Sequence, residues 1–568
     1  RRQEFDRFGL SVWEIEDDRY SEVREWTELQ NRWGAVCFQE LVSMLPAMLL
    51  APKPEHICLD VCAAPGNKSV QMLEALQQSS LVGEFSVIGA VLSSDANPQR
   101  CCLPLQRVLT KAACPASASA LVNAKEYPTL IDPLDDRKLL QFSRILADVP
   151  CSGDGTARKN AQVWRSWSRK DALELHTLQR NILVRSLHLL PPGGILVYST
   201  CSLNPIENEA VVLCALRKWH QRIDGGIELL DALGACKKVC DLQPAPGLTR
   251  WVVPAPGRGG LLFSSDVEVP EELRHVVGGL VRPEMFACRD RSDIDNELVP
   301  QLKRCARFYP HHGNTGGFFM AMFRKVAPKM SVPPQMPRAN MEDSRGIRDH
   351  PLMIMRYSRV QENDPDWKEI VNFFCIDRSW AELRLRAGLL FWRAINGRQP
   401  EGLYLASEGV ARLFDARVAS GRVLSWVKVG AAIFEKLPKG FLTGNIAPTR
   451  WRVAAEGAAI LEQVIGRRRV KLLPQEMLKL LRSENRQLSI QDLHGTMIDN
   501  QLLDDRSHEC GGVLVNVTDW EFEHLCVPAA FTPRLLRLLA DKDALDALTD
   551  LLSETMASSR KSPSGAAP

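Results

Sequence analysis

From residue 57 to about 325, short β-prone runs alternate with amphipathic segments, and this alternation constrains the chain more than any other feature it carries. Parallel strands need long crossover connections, which helices usually supply, so the pattern predicts a parallel sheet covered by helices. Candidate strands begin at Ile57, Val87, Ala120, Arg144 and Gly194. Apolar residues at helical spacing mark Ser69 to Leu76, Pro98 to Lys111 and Asp171 to Leu190, the last stopped by Pro191-Pro-Gly-Gly194. The fold class expected is α/β, a doubly wound Rossmann-like domain.

A chain of 568 residues exceeds one domain. Between Pro328 and Pro351, prolines, methionines and mixed charges replace any periodicity, which reads as a linker spanning 328–352. Beyond it, β-prone runs such as Gly402–Leu405, Leu424–Val429 and Gly512–Val517 mix with helical patterns, so a smaller α+β or barrel domain is expected over 353–552. The polar tail from Ser553, residues 553–568, is expected to be disordered.

Sixteen cysteines are scattered without a Cys-x-x-Cys or zinc spacing, so a reduced, intracellular chain without a metal site is expected. The apolar stretch Leu41 to Ala51 is interrupted by Pro46 and falls short of the ~20 residues a bilayer requires, which argues against a membrane partner. A net charge of +3 is too small to imply a polyanion by itself, and the cluster Arg467 to Lys471 reads as a solvated face.

After the first strand comes Cys62-Ala-Ala-Pro-Gly-Asn-Lys68 and then a helix, placing small residues where backbone must approach a ligand. The turn is neither a P-loop nor Gly-x-Gly-x-x-Gly, which disfavours phosphate. Asp95 closes the next strand, where such folds hold ribose hydroxyls, although Asp95-Ala-Asn-Pro98 would also serve as a helix cap. Together these point to an adenosine ligand without phosphates.

Cys151, in Asp148-Val-Pro-Cys, and Cys201, in Ser199-Thr-Cys, each lie just past a β-prone run. Strand ends line the crevice of an open α/β sheet, so both sulfurs are expected to face one substrate. Most free cysteines are simply buried, which is the reading for Cys58 and Cys214. His311 and His312, adjacent on an expected strand, would point to opposite faces and lack a third ligand. Trp164 and Trp167 stand three residues apart, and core packing is the expectation over base stacking.

The segments Cys62–Lys68, Asp148-Val-Pro-Cys-Ser-Gly-Asp-Gly-Thr-Ala-Arg-Lys-Asn160 and Tyr198-Ser-Thr-Cys-Ser-Leu-Asn-Pro-Ile-Glu-Asn-Glu-Ala210 resemble the Sun-domain RNA (cytosine-5)-methyltransferases. Arg158-Lys-Asn160, Asn204-Pro-Ile-Glu-Asn-Glu and His311-His-Gly-Asn-Thr-Gly-Gly-Phe-Phe319 resemble the tRNA-modifying branch. The resemblance covers roughly residues 30 to 325, placing a methyltransferase domain at 31–327 and a remnant of an amino-terminal RNA-contacting region at 1–30, with more sequence expected before Arg1. Phe391 to Gly397 and Gly402 to Glu408 are similar, more weakly, to a PUA-type RNA-binding module.

The resemblance implies S-adenosyl-L-methionine as cofactor, with Cys62, Ala63, Ala64, Pro65, Gly66, Asn67 and Lys68 around its methionine part, Asp95 at the ribose, and Asp148 at cofactor and base. The family places an aspartate after the third strand. This chain has Asn123-Ala-Lys-Glu-Tyr-Pro128 there, with Glu126 beside Lys125 as the available acceptor. The resemblance makes Cys201 the nucleophile and gives Cys151 a part in product release. It also implies tRNA as partner and a nuclear or nucleolar location, with the cytoplasm as the alternative; a monomer is expected.

Carbon 5 of cytosine is a poor nucleophile, and thiolate addition at carbon 6 activates it. Lys68 is a candidate to favour the thiolate, and Asp148 to hydrogen-bond the cytosine edge. Access to the base requires a loop or a flipped nucleotide, which tRNA offers. Two alternatives remain open: a DNA cytosine-5 methyltransferase, in which Cys151 would attack, and a non-catalytic RNA-binding homologue.

Overall fold

A computed structural model describes residues 36–559 except 79–87, 221–225, 240–241, 256–259, 271–279, 288–292, 328–354, 396–398, 420–423, 438–448, 493–496, 499–510, 518–524, 532–534 and 541, together with scattered positions from 2 to 31. The expected linker, most of the amino-terminal remnant and the last nine residues lie outside the described residues.

Ten strands build the main sheet: β1 (Ile57–Asp60), β2 (Ala90–Asp95), β3 (Ser117–Leu121), β4 (Arg144–Asp148), β5 (Ile195–Thr200), β6 (Ile227–Leu230), β7 (Ala245–Pro246), β8 (Ala306–Phe308), β9 (Phe318–Lys325) and β10 (Ser425–Val429). Their order is β7-β8-β9-β5-β4-β1-β2-β3-β10, with β6 also pairing β9. β1 is parallel to both β2 and β4, β2 to β3, and β4 to β5, whereas β9 runs antiparallel to β5. Strand order therefore reverses between β1 and β4, which opens a ligand crevice at their carboxyl ends. Every residue of β2 and β3 is buried, as befits parallel strands covered on both faces.

The expected helices form, with adjusted ends. Asn67–Gln78 follows β1, and Arg169–His188 precedes β5. The stretch expected as one helix from Pro98 to Lys111 is two, Pro98–Cys102 and Pro104–Lys111, because Pro104 has no N–H to continue the first helix and instead starts the second. The second strand begins at Ala90, and Val87, its expected start, lies outside the described residues.

The larger difference lies downstream. The region expected as one smaller domain forms two sheets, one of five strands and one of six, and a further strand leaves it altogether. That strand is β10, which pairs antiparallel with β3 through Ser425↔Leu121 and Val429↔Ala118. It satisfies edge groups that β3 would otherwise expose. Arg417–Val418 likewise pairs with Leu130–Asp132. Around this seam Arg412 forms an ion pair with Asp132, Ser407 Oγ donates to the Gly89 carbonyl at 2.6 Å, and the Gly409 N–H donates to Ile88. A Cβ on Gly409 would stand 2.7 Å from the Gly89 carbonyl carbon, so the backbones approach as only glycine permits.

Three local expectations are corrected. The chain from Ser553 continues the helix Lys542–Ser559 before the described residues end. His311 and His312 lie on a short helix, Pro310–Gly313, not a strand, because Pro310 opens a turn ahead of β9. In the basic cluster, Arg468 is 4% exposed, lies over the Phe373 and Phe531 rings, and donates to the Gly512 carbonyl. Aromatic faces compensate its burial, which basic composition alone does not reveal.

Candidate active site

The crevice between β1 and β4 holds a cavity of about 320 Å³ whose lining includes Asp60, Cys62, Ala63, Ala64, Pro65, Asn67, Lys68 and Asp148. The turn after β1 is held open from behind: the Ala63 N–H donates to the Ser94 carbonyl at 2.8 Å and the Ala64 N–H to Asp95 Oδ2 at 3.3 Å. Gly66 has φ +116°, and a Cβ there would meet Leu105 Cδ1 at 2.9 Å, so this position needs glycine.

Asp95 lies behind the turn rather than in the cavity lining, where it accepts from Ala64 and Asn97 and faces Arg100 at 3.5 Å. Arg100 also donates to the Ala64 carbonyl at 2.6 Å, clamping the turn to the helix after β2. Glu126 is likewise outside that lining, half-exposed and paired with Lys125 at 3.3 Å. Of the expected cofactor residues, the structure thus gathers the turn and Asp148 into one cavity and leaves these two acids at its periphery.

Asp60 is 1% exposed and accepts from Ser69 Oγ at 2.7 Å. Burial pushes its carboxyl up to about 7, against the lowering effect of Ser69. Its Oδ1 has no hydrogen-bond partner among the described residues. Asp148 accepts from Ser199 Oγ at 2.6 Å and from Lys68 Nζ at 2.7 Å. Burial alone would depress the Lys68 ammonium, but Asp148, with smaller contributions from Asp60 and Cys201, raises it above its ordinary value, so Lys68 stays charged.

Cys151 Sγ and Cys201 Sγ stand 3.3 Å apart, although 50 residues separate them in the chain. The adjacent Cys201 sulfur and then burial hold the Cys151 thiol above the ordinary cysteine range. Cys151 therefore stays protonated near neutral pH. Cys58 and Cys214, expected as buried cysteines, are buried.

Beneath the two sulfurs lies a carboxylate that sequence reasoning quoted but gave no role. Glu207 is 0% exposed. Its Oε1 accepts from the Ser152 N–H at 2.8 Å and Gln179 Nε2 at 3.0 Å, and its Oε2 accepts from Ser152 Oγ at 2.6 Å and Ser202 Oγ at 2.7 Å. It ties the residue after Cys151 to the residue after Cys201. A second lock is backbone alone: the Gly155 N–H donates to the Cys201 carbonyl at 2.9 Å, and a Cβ on Gly155 would lie 2.4 Å from the Gly317 oxygen.

Deeper still, Arg307 and Glu209 form a two-pronged ion pair, both bonds 2.6 Å, at 1% and 0% exposure. Arg307 also donates to the Leu203 carbonyl at 2.9 Å, two residues past Cys201.

Trp164 and Trp167 are not core residues. They are 77% and 39% exposed, on and just after a helix, Ala161–Ser166, that buries none of its residues.

A doubly wound sheet, a glycine-bearing turn after its first strand and an acid-and-thiol cluster at the switch point define a Rossmann-like domain with a candidate ligand site where the strand order reverses. Residues 47–238 match the family model described as 16S rRNA methyltransferase RsmB/F. Over this region the chain is similar to the RsmB/F methyltransferases that this model describes.

The chain is 38% identical over 336 residues to a multisite-specific tRNA (cytosine-C5)-methyltransferase of Schizosaccharomyces pombe, covering 55% of this chain and 46% of that protein. It is 32% identical over 416 residues to a tRNA (cytosine(34)-C5)-methyltransferase of Drosophila melanogaster, covering 67% of this chain and 52% of that protein. The chain thus spans about half the length of these curated relatives. A crystal structure of a methyltransferase homolog from Pyrococcus horikoshii is 25% identical with a TM-score of 0.34, covering 52% of this chain and 70% of that one.

Proposed function

We propose that this protein methylates carbon 5 of cytosine in RNA, with tRNA as the substrate class, through a transient bond between Cys201 and carbon 6 of the base. The observation that carries the reading is the 3.3 Å pairing of Cys151 and Cys201 beside Asp148 and Lys68. One sulfur can attack the ring while the other remains within reach of it.

S-adenosyl-L-methionine fits the residues present. The cavity offers backbone of the Cys62–Gly66 turn and two acids, Asp60 with an unpartnered oxygen and Asp148, to a ligand bearing amino and sulfonium groups. The cofactor would supply an electrophilic methyl group there. Asp95 and Glu126, at the periphery, are the acceptors left for its nucleoside end.

Cys201 attacks as thiolate, helped by the Lys68 ammonium, whose positive charge is sustained by Asp148. The sulfur's electron pair forms the bond to carbon 6, and the ring's electrons move toward carbon 5 and nitrogen 3. Asp148, oriented by Ser199, faces the base edge, where a proton shared between its carboxyl and nitrogen 3 offsets the negative charge that develops there, while its other oxygen accepts from the exocyclic amine. Once carbon 5 carries the methyl group, its hydrogen leaves as a proton to Cys151, which has first given its own proton to solvent; the freed electron pair re-forms the carbon 5–carbon 6 double bond, the carbon–sulfur bond breaks, and Cys201 leaves as thiolate. The reading includes a nuclear or nucleolar site of action, supported by the resemblance to the tRNA-modifying branch. Among the described residues, no helix is long and apolar enough to cross a membrane.

The test uses the full chain, unmodified tRNA and the cofactor. Cys151→Ala accumulates a protein–RNA adduct on a denaturing gel and Cys201→Ala forms none. The opposite pattern would make Cys151 the attacking residue and defeat the assignment.

A further inference from the structure

Thirteen residues beyond Cys151 the chain presents a large aromatic surface to solvent. Trp164 is 77% exposed, yet its indole N–H donates to the Ala157 carbonyl at 2.9 Å. The ring is thus fixed to the loop that carries Cys151 without being covered by anything. Leaving so large an apolar side chain in water is unfavourable, and a ring held in place while exposed marks a surface that awaits a partner.

The charge around it identifies that partner. Arg158, Arg165 and Arg169 are exposed and have no ion-pair partner among the described residues. The acids of this segment are already engaged: Asp154 accepts from the Leu203 N–H, Asp171 accepts from Ser168, and Glu174 pairs with Lys170. Lys159, one residue before the cap of this helix, lines the cavity itself, so the surface is continuous with the site. Uncompensated arginines interleaved with a fixed aromatic face suit a single-stranded polyanion bearing flat bases.

We infer that Trp164 stacks on a base flanking the target cytosine in single-stranded RNA, with Arg158, Arg165 and Arg169 on the adjoining phosphates, and holds the unstacked strand at the mouth of the cysteine site. This rests on the RNA methyltransferase reading above. The surface sets where the strand lies and takes no part in bond making.

The experiment is steady-state methyl transfer to unmodified tRNA by the full-length protein, its Trp164→Ala and Trp164→Phe variants. The alanine variant raises KM for RNA on the order of tenfold, the size of one lost base stack, while KM for the cofactor is unchanged. The phenylalanine variant, which keeps a ring, recovers most of that loss. An RNA KM within twofold of wild type in the alanine variant would overturn the stacking. So would a fall in kcat alone, which would make the indole a brace for the Cys151 loop. If the wild-type chain transfers no methyl group at all, the RNA methyltransferase reading fails first, and this inference with it.

Discussion

Glu207→Gln and Glu207→Ala should behave as different mutations, and the hydrogen-bond geometry says why. Glu207 accepts four hydrogen bonds, two on each oxygen. Both donors on Oε1 are N–H groups, which cannot reverse. Both on Oε2 are serine hydroxyls, which can rotate and accept instead. A glutamine with its carbonyl in the Oε1 position and its amide in the Oε2 position therefore satisfies all four contacts. What is lost is charge assistance, about 1–2 kcal/mol in all. Alanine leaves the donors unmatched and opens a cavity in a fully buried position, at a cost of about 4 kcal/mol or more.

The glutamine variant should also change the chemistry of the sulfur above it. The Glu207 charge is among the influences that raise the Cys151 thiol. Neutralising it eases thiolate formation, so the rate of Cys151 alkylation by iodoacetamide, followed by peptide mass spectrometry against pH, should shift to lower pH. Circular dichroism melts of the two variants supply the stability comparison. The reasoning is refuted if the alkylation profile stays put or moves upward, or if glutamine destabilises the fold as much as alanine does.

Removing Arg307 takes the cation from the Glu209 carboxylate in a site with 0% exposure and leaves it the Leu248 N–H donor at 2.9 Å, so Arg307→Ala should cost about 3–5 kcal/mol, read as a lowered urea midpoint. A paired replacement, Arg307→Met with Glu209→Leu, should recover most of that loss. Asp60 holds its proton more tightly folded, at about 7, than in the unfolded chain, so its ionisation subtracts stability progressively as pH rises from about 4 to about 7. Asp60→Asn should therefore gain on wild type across that window in melting temperature. An equal difference at pH 5 and pH 8 would remove this explanation.

The parts of the site legible in the sequence are those with local causes. Cys62–Lys68 follows an apolar run directly and contains its own glycine, and the two cysteines each end a strand that its neighbours specify. Trp164 was misjudged because spacing of three marks one helical face without saying whether that face meets the core. Glu207 stands in a motif beside Asn208 and Glu209, and nothing local distinguishes a buried acceptor of four bonds from a surface acid. Asp95 ends a strand and Glu126 lies in the turn beyond the next one, yet Asp95 is drawn to the backbone of Ala64 and Asn97 and Glu126 to Lys125, partners that position along the chain does not reveal. The pairing of β10 with β3 is still less accessible, because it depends on which distant segment best matches an edge.

That pairing bears on how the molecule is made. The edge of the catalytic sheet at Ser117–Leu121 waits for Ser425–Val429, which leaves the ribosome only after the cysteine loops and the whole of β9 have emerged. Until then a row of unmet amide and carbonyl groups sits two strands away from β1 and its Cys62–Lys68 turn, open to the wrong neighbour. The downstream region thus acts as the late closing piece of the main sheet, and shortening the chain before residue 425 removes a wall of the Rossmann-like domain rather than an appendage.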